Sequence, residues 1–103
     1  MAIATLQIVP GRTQEDYEQV GERVFGARSQ ELAPEQAPAG LILHSAGPTE
    51  DGWWVYDVWE STADMQRFFE KRLSPALRDL GMSAAGKPQI FTVHNVVRPP
   101  ASE

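Results

Sequence analysis

Gly52-Trp53-Trp54-Val55-Tyr56-Asp57-Val58-Trp59-Glu60-Ser61 is the stretch that decides the fold. It holds all three tryptophans of the chain together with Val55, Tyr56 and Val58, the aromatic and β-branched composition of a strand. Alternation with period two puts Trp53, Val55, Asp57 and Trp59 on one face. Trp54, Tyr56, Val58 and Glu60 take the other. Both faces are apolar, so both require cover. One also carries the Asp57 carboxylate among large hydrophobes, which demands a hydrogen-bonding partner or a raised pKa.

Working outward, Gly47-Pro48-Thr49-Glu50-Asp51-Gly52 is dense in turn residues. It joins the tryptophan strand to a preceding strand, Gly40 to Ala46, as an antiparallel hairpin. On the other side, Ser61 caps a helix with Asp64 at the expected offset. Met65, Phe68, Phe69, Leu73, Ala76, Leu77 and Leu80 draw its apolar stripe. Pro75 is expected to break this helix, with Ser74 recapping a last piece that Gly81 terminates. Nearer the N-terminus, Ala2 to Val9 reads as a strand ended by Pro10-Gly11. Thr13 and Asp16 form a capping box for a helix carrying Tyr17, Val20, Val24 and Phe25, which is expected to fade between Gln30 and Leu32. Ala33 to Ala39 is a connection. After a flexible Ser-Ala-Ala-Gly segment, Gln89 to Val97 forms the last strand.

The order β-α-β-β-α-β predicts an α+β domain of ferredoxin-like type, one antiparallel sheet with two helices, over residues 1–98, with 99–103 as a flexible tail. Two helices cover one face of such a sheet. The last strand is itself apolar on both sides, with Ile90 and Val96 on one and Phe91, Val93 and Val97 on the other. A second copy of the sheet is the simplest cover, so a homodimer is expected.

Composition narrows the function. A chain of 103 residues supports one core. Its net charge of −5 and scattered basic residues disfavour nucleic acid and anionic lipid. No cysteine is present, which removes disulfides, thiol nucleophiles and thiolate metal sites. Neither a signal peptide nor the roughly 20 apolar residues of a membrane span is visible. A cytoplasmic protein is expected.

With Pro38-Ala39-Gly40-Leu41 before the second strand, the Asp51-Gly52 turn, Val55-Tyr56-Asp57-Val58-Trp59-Glu60-Ser61 and Phe68-Phe69 in the following helix, the chain resembles the dimeric α+β barrel family. The likeness is to its antibiotic-biosynthesis-monooxygenase-like branch. That resemblance implies a small-molecule pocket between sheet and helices, and a dimer whose opposite sheet faces meet at its centre. It also implies an acidic residue at the place of Asp57 and an aromatic at that of Trp59. Activities in the family include cofactor-free oxygenation of polyketide anthrones and quinols, polyketide cyclisation and haem breakdown. The chain departs from the haem-degrading members, whose second helix supplies a histidine; here that helix offers Arg67, Lys71, Arg72 and Arg78. It also lacks a histidine found near the position of Phe68 in many monooxygenase-like members.

The expected function is a small enzyme, working with no cofactor as a monooxygenase or a cyclase on an aromatic or polyketide-type molecule. Asp57, His44 and His94 are its candidate acid–base residues, the last two being the only histidines. No metal is expected of so few ligands. Trp59, Trp54, Tyr56, Phe68 and Arg67 are candidate substrate-binding residues, the aromatics for stacking on a flat ring and the arginine for an anionic group. Trp54 and Tyr56 equally suit the dimer interface. Which face His44 occupies depends on the hairpin register, since one residue of slip reverses it. The alternative expectation is a non-catalytic dimer that binds a small apolar ligand or a protein partner.

Overall fold

The computed structural model describes residues 1–28, 34–83 and 87–100. Four strands, β1 (Ile3–Pro10), β2 (Leu41–Pro48), β3 (Gly52–Trp59) and β4 (Gln89–Thr92), form one antiparallel sheet in the order β2-β3-β1-β4. Helix α1 (Gln14–Phe25) connects β1 to the hairpin, and a helical run from Thr62 to Asp79 connects β3 to β4. This is the ferredoxin-like α+β arrangement, with the tryptophan strand β3 at its centre beside β1.

Local chemistry explains the boundaries. The Thr13 side chain accepts the Asp16 N–H at 3.1 Å, and Asp16 accepts the Thr13 N–H at 3.1 Å, so α1 starts on a complete capping box. It stops at Phe25, short of the expected 30–32 region, which lies outside the described residues. Gly26 ends it in the left-handed conformation (φ 80°), its N–H returning to the Glu22 carbonyl. The Gln36 side chain then donates to the Phe25 carbonyl at 3.0 Å and ties the connection to the helix end.

Pro75 does not break the second helical run. The run passes from α2 (Thr62–Phe68) through a π-helical turn (Phe69–Leu73) into α3 (Ser74–Asp79). The Ser74 N–H reaches back five residues to the Phe69 carbonyl, and this wider turn accommodates the proline ring that a tight α-turn would press against the chain. Ser74 is itself helical and caps nothing. The Ser61 cap is present, its hydroxyl accepting the Asp64 N–H at 3.1 Å. Strand β4 ends at Thr92 rather than Val97. Its pairing ends there: Thr92 pairs with Ile3, and a last bond joins the Val93 N–H to the Ala2 carbonyl.

Register assigns the faces. Ile3, Thr5 and Val9 on β1 lie opposite Trp59, Asp57 and Trp53, on the side covered by the helices. That side holds most of the core, including Val24 of α1 and Ala76 and Leu77 of α3. On the other side Ala4, Leu6 and Ile8 lie opposite Val58, Tyr56 and Trp54, flanked by Leu43 and Phe91. Ile8, Leu43 and Phe91 are 51%, 49% and 47% exposed, so this apolar face is open in the single chain. Among the described residues no helix is long and apolar enough to cross a membrane.

Candidate functional site

The hairpin register builds the site. Across β2 and β3, His44 lies directly opposite Asp57, so imidazole and carboxylate leave the sheet from one face. It is the face of Trp53 and Trp59, under the helices. A register irregularity between Leu41 and Leu43 precedes this pair and contributes to the phase in which His44 arrives.

His44 Nδ1 and Asp57 Oδ1 are 2.5 Å apart. A carboxylate only accepts, so Nδ1 carries the hydrogen and donates it to Asp57. The opposite ring nitrogen, Nε2, accepts the hydroxyl hydrogen of Tyr17. Tyr17 comes from α1, whose capping box fixes the start of the helix and so the direction in which its fourth residue points. The Tyr17 and His44 rings are nearly parallel, 4° apart at a centroid distance of 5.9 Å. Trp53 lies 5.3 Å from Tyr17, tilted by 34°. Carboxylate, imidazole and phenol thus form one hydrogen-bonded chain between the sheet and α1. It is accessible: the His44 and Asp57 side chains are 32% and 15% exposed.

Burial, and then the charges of Asp57 and Glu18, push the Tyr17 hydroxyl up to about 12. The phenol therefore stays protonated as a donor through the neutral range. Because the folded value lies above the unfolded one of about 10, this contribution to stability is fully present below pH 10 and is lost as pH rises towards 12. Denaturant midpoints between pH 8.5 and 11.5 are expected to fall steeply in that window for the native chain and less steeply for Tyr17→Phe.

The other residues expected at the site lie elsewhere. Trp59, 1% exposed, packs on Phe68 at 5.4 Å, and Phe68 meets Phe25 at 6.0 Å; these are core contacts on the helix face, further along β3. Trp54 and Tyr56 stand on the opposite sheet face from Asp57, because the pleat alternates, and so cannot share its pocket within one chain. Trp54 lies across Gly47, where a Cβ would come within 2.9 Å of the indole nitrogen. Arg67 is exposed and paired with Asp64 at 3.0 Å within α2. His94 is exposed beyond the end of β4, on the far edge strand from β2. The structure brings His44 and Asp57 together and leaves His94 apart.

Tyr17 is the site residue that the sequence alone does not single out, whereas Trp53 reads there, with Trp54 and Trp59, as a candidate stacking surface for a flat ring. Tyr17 reads as one member of an apolar helix stripe, and only its hydroxyl hints at more. The Nε1–H groups of Trp53 and Trp59 are buried without a hydrogen-bond partner among the described residues; such a donor costs about 1–3 kcal/mol. A separate groove of about 270 Å³ runs between α1 and the C-terminal helical segment, lined by Arg23, Lys71, Arg72 and Asp79. Among the described residues no group of three or more His, Asp or Glu is placed to hold a metal ion.

No family model matches the chain, and no curated protein matches it in sequence. Among solved structures it is similar to one titled "Structural Genomics, protein YJCS", with a TM-score of 0.55 and 14% identity. The match covers 90% of this chain and 96% of that one. At that identity the likeness concerns the fold, and it extends over nearly the whole of both chains.

Proposed function

We propose that this chain is a small cofactor-independent enzyme that removes a proton from an acidic phenol or enol of an aromatic or polyketide-type molecule. His44 is the base. Asp57 holds the imidazole with Nδ1 protonated and stabilises the imidazolium that forms. The observation that carries this reading is the 2.5 Å His44–Asp57 bond on the helix-covered face, with a phenol already seated on Nε2. The resemblance to the monooxygenase-like branch supports the substrate class.

Two outcomes follow from one deprotonation. In the oxygenase, O₂ is the oxidant: the methylene carbon of an anthrone loses two hydrogens and gains one oxygen as a carbonyl, while the other oxygen leaves as water. In the cyclase, the carbanion adds to a carbonyl of the same molecule, and loss of water completes the ring. Incubation with an anthrone under air, following O₂ uptake and quinone absorbance, tests the first. A poly-β-carbonyl substrate under argon tests the second. Turnover of neither would leave the binding-protein reading.

That second reading, a non-catalytic ligand-binding dimer, is favoured by one feature. A chain of three satisfied groups is also how a sheet clamps a helix. The two readings differ in whether His44 exchanges a proton with a bound phenol.

In both readings the open face around Leu6, Ile8, Leu43, Tyr56 and Phe91 is covered by a second copy, giving the dimeric barrel. Leu6→Glu is expected to convert the dimer to a monomer in sedimentation equilibrium, because a self-complementary interface buries each such charge twice. A native chain that sediments as a monomer would refute the pairing.

A further inference from the structure

We propose that the Nε2 side of His44 is a phenol subsite whose resting occupant is Tyr17, so that a substrate phenol binds by displacing the tyrosine hydroxyl. This rests on the reading of His44 as the base and adds the ligand group that the base receives.

The internal phenol shows what the subsite accepts. Its O–H points at Nε2, its ring lies parallel to the imidazole, and the Trp53 ring lies 5.3 Å away. An incoming flat phenol finds the same acceptor and the same aromatic surface once the Tyr17 side chain turns away. Release needs rotation about side-chain bonds only, since the capping box and the Gly26 end hold the α1 backbone at both termini.

Tyr17 is also a harmless occupant. Held well above the ordinary phenol range by burial and by the Asp57 charge, it keeps its proton against the imidazole. A phenol or enol acidified by a conjugated carbonyl does not. The subsite therefore distinguishes the resting tyrosine from a substrate by acidity, and a competitor inside the protein lowers the apparent affinity for weak phenols.

Titration with 2-naphthol, with naphthalene as control, tests this on ¹⁵N-histidine-labelled protein. Only two histidines are present, so a His94→Gln background assigns His44. We expect 2-naphthol, but not naphthalene, to shift the His44 Nε2 resonance. Tyr17→Phe should tighten 2-naphthol binding roughly threefold to tenfold, because it removes one competing hydrogen bond while keeping the ring. Retention of the Nδ1–H resonance in Tyr17→Phe reports that the Asp57 bond survives. Unchanged or weaker binding in Tyr17→Phe, with Nε2 still responding, would overturn the displacement and leave His44 as the base. No Nε2 response in either protein would overturn both.

Discussion

His44→Gln is expected to lower turnover of an acidic phenol or anthrone by about 10²–10⁴-fold, the usual contribution of a positioned general base. Glutamine retains a donor and an acceptor, so contacts to Asp57 and Tyr17 survive in part, but it cannot take up a proton. His44 is on an edge strand with its side chain 32% exposed, so the fold should tolerate the change. Asp57→Asn tests the same unit from the other end. An amide can offer Nδ1 either a carbonyl or an N–H, so the imidazole loses its fixed tautomer. The two losses should not add: once either member is gone, removing the other costs little more. Circular dichroism and a turnover assay on the two single variants and the double variant measure this. Additive losses would mean that the two residues act separately.

Trp59→Ala is expected to cost about 3–5 kcal/mol of stability, because it empties the largest fully buried side chain among the described residues. Trp59 is 1% exposed and sits where β3, β1 and α2 meet: it faces Ile3 across the sheet and Phe68 from the helix, which in turn meets Phe25 of α1. Emptying that position leaves a cavity whose walls belong to three elements and cannot collapse together. In a domain of this size the loss corresponds to a fall in melting temperature of more than about 12 °C. Trp59→Phe, which retains the contact with Phe68, should lose much less. The indole N–H has no hydrogen-bond partner among the described residues, so phenylalanine sacrifices volume alone. Thermal melts of both variants supply the comparison, and equal losses would show that the indole contributes more than packing.

The element order was legible because it rests on repeating patterns. Alternation in β3, turn residues between β2 and β3, and the caps at Thr13 and Ser61 each act locally, and the sheet order follows from their succession. Signals that depend on one residue were not legible in the same way. The Leu41–Leu43 irregularity lies just before His44 in a strand whose face no alternation could settle. Gly26 stops α1 because its backbone turns left-handed, although the chain beyond it remains a good helix former. Pro75 signals a break, and the chain instead widens one turn by a single hydrogen-bond step.

The site was half legible for a related reason. Asp57 declares itself as a carboxylate on an apolar strand, and its need for a donor is plain from burial alone. Which donor answers is a matter of tertiary contact: His44 arrives through strand register and Tyr17 through the phase of a helix far earlier in the chain. His94 carried the same chemical promise as His44, but it lies past the last bond between β4 and its neighbour, the Val93 N–H to the Ala2 carbonyl.

The most direct test of the central claim is the ionisation state of a bound phenol. The absorbance of 7-hydroxycoumarin distinguishes phenol from phenolate, and it can be titrated with protein at a pH below its own pKa. With His44 as the base, a phenolate spectrum is expected on the native chain and a neutral spectrum on His44→Gln at equal occupancy. A probe that binds and remains neutral on the native chain, or that ionises equally on both, would contradict His44 as the base.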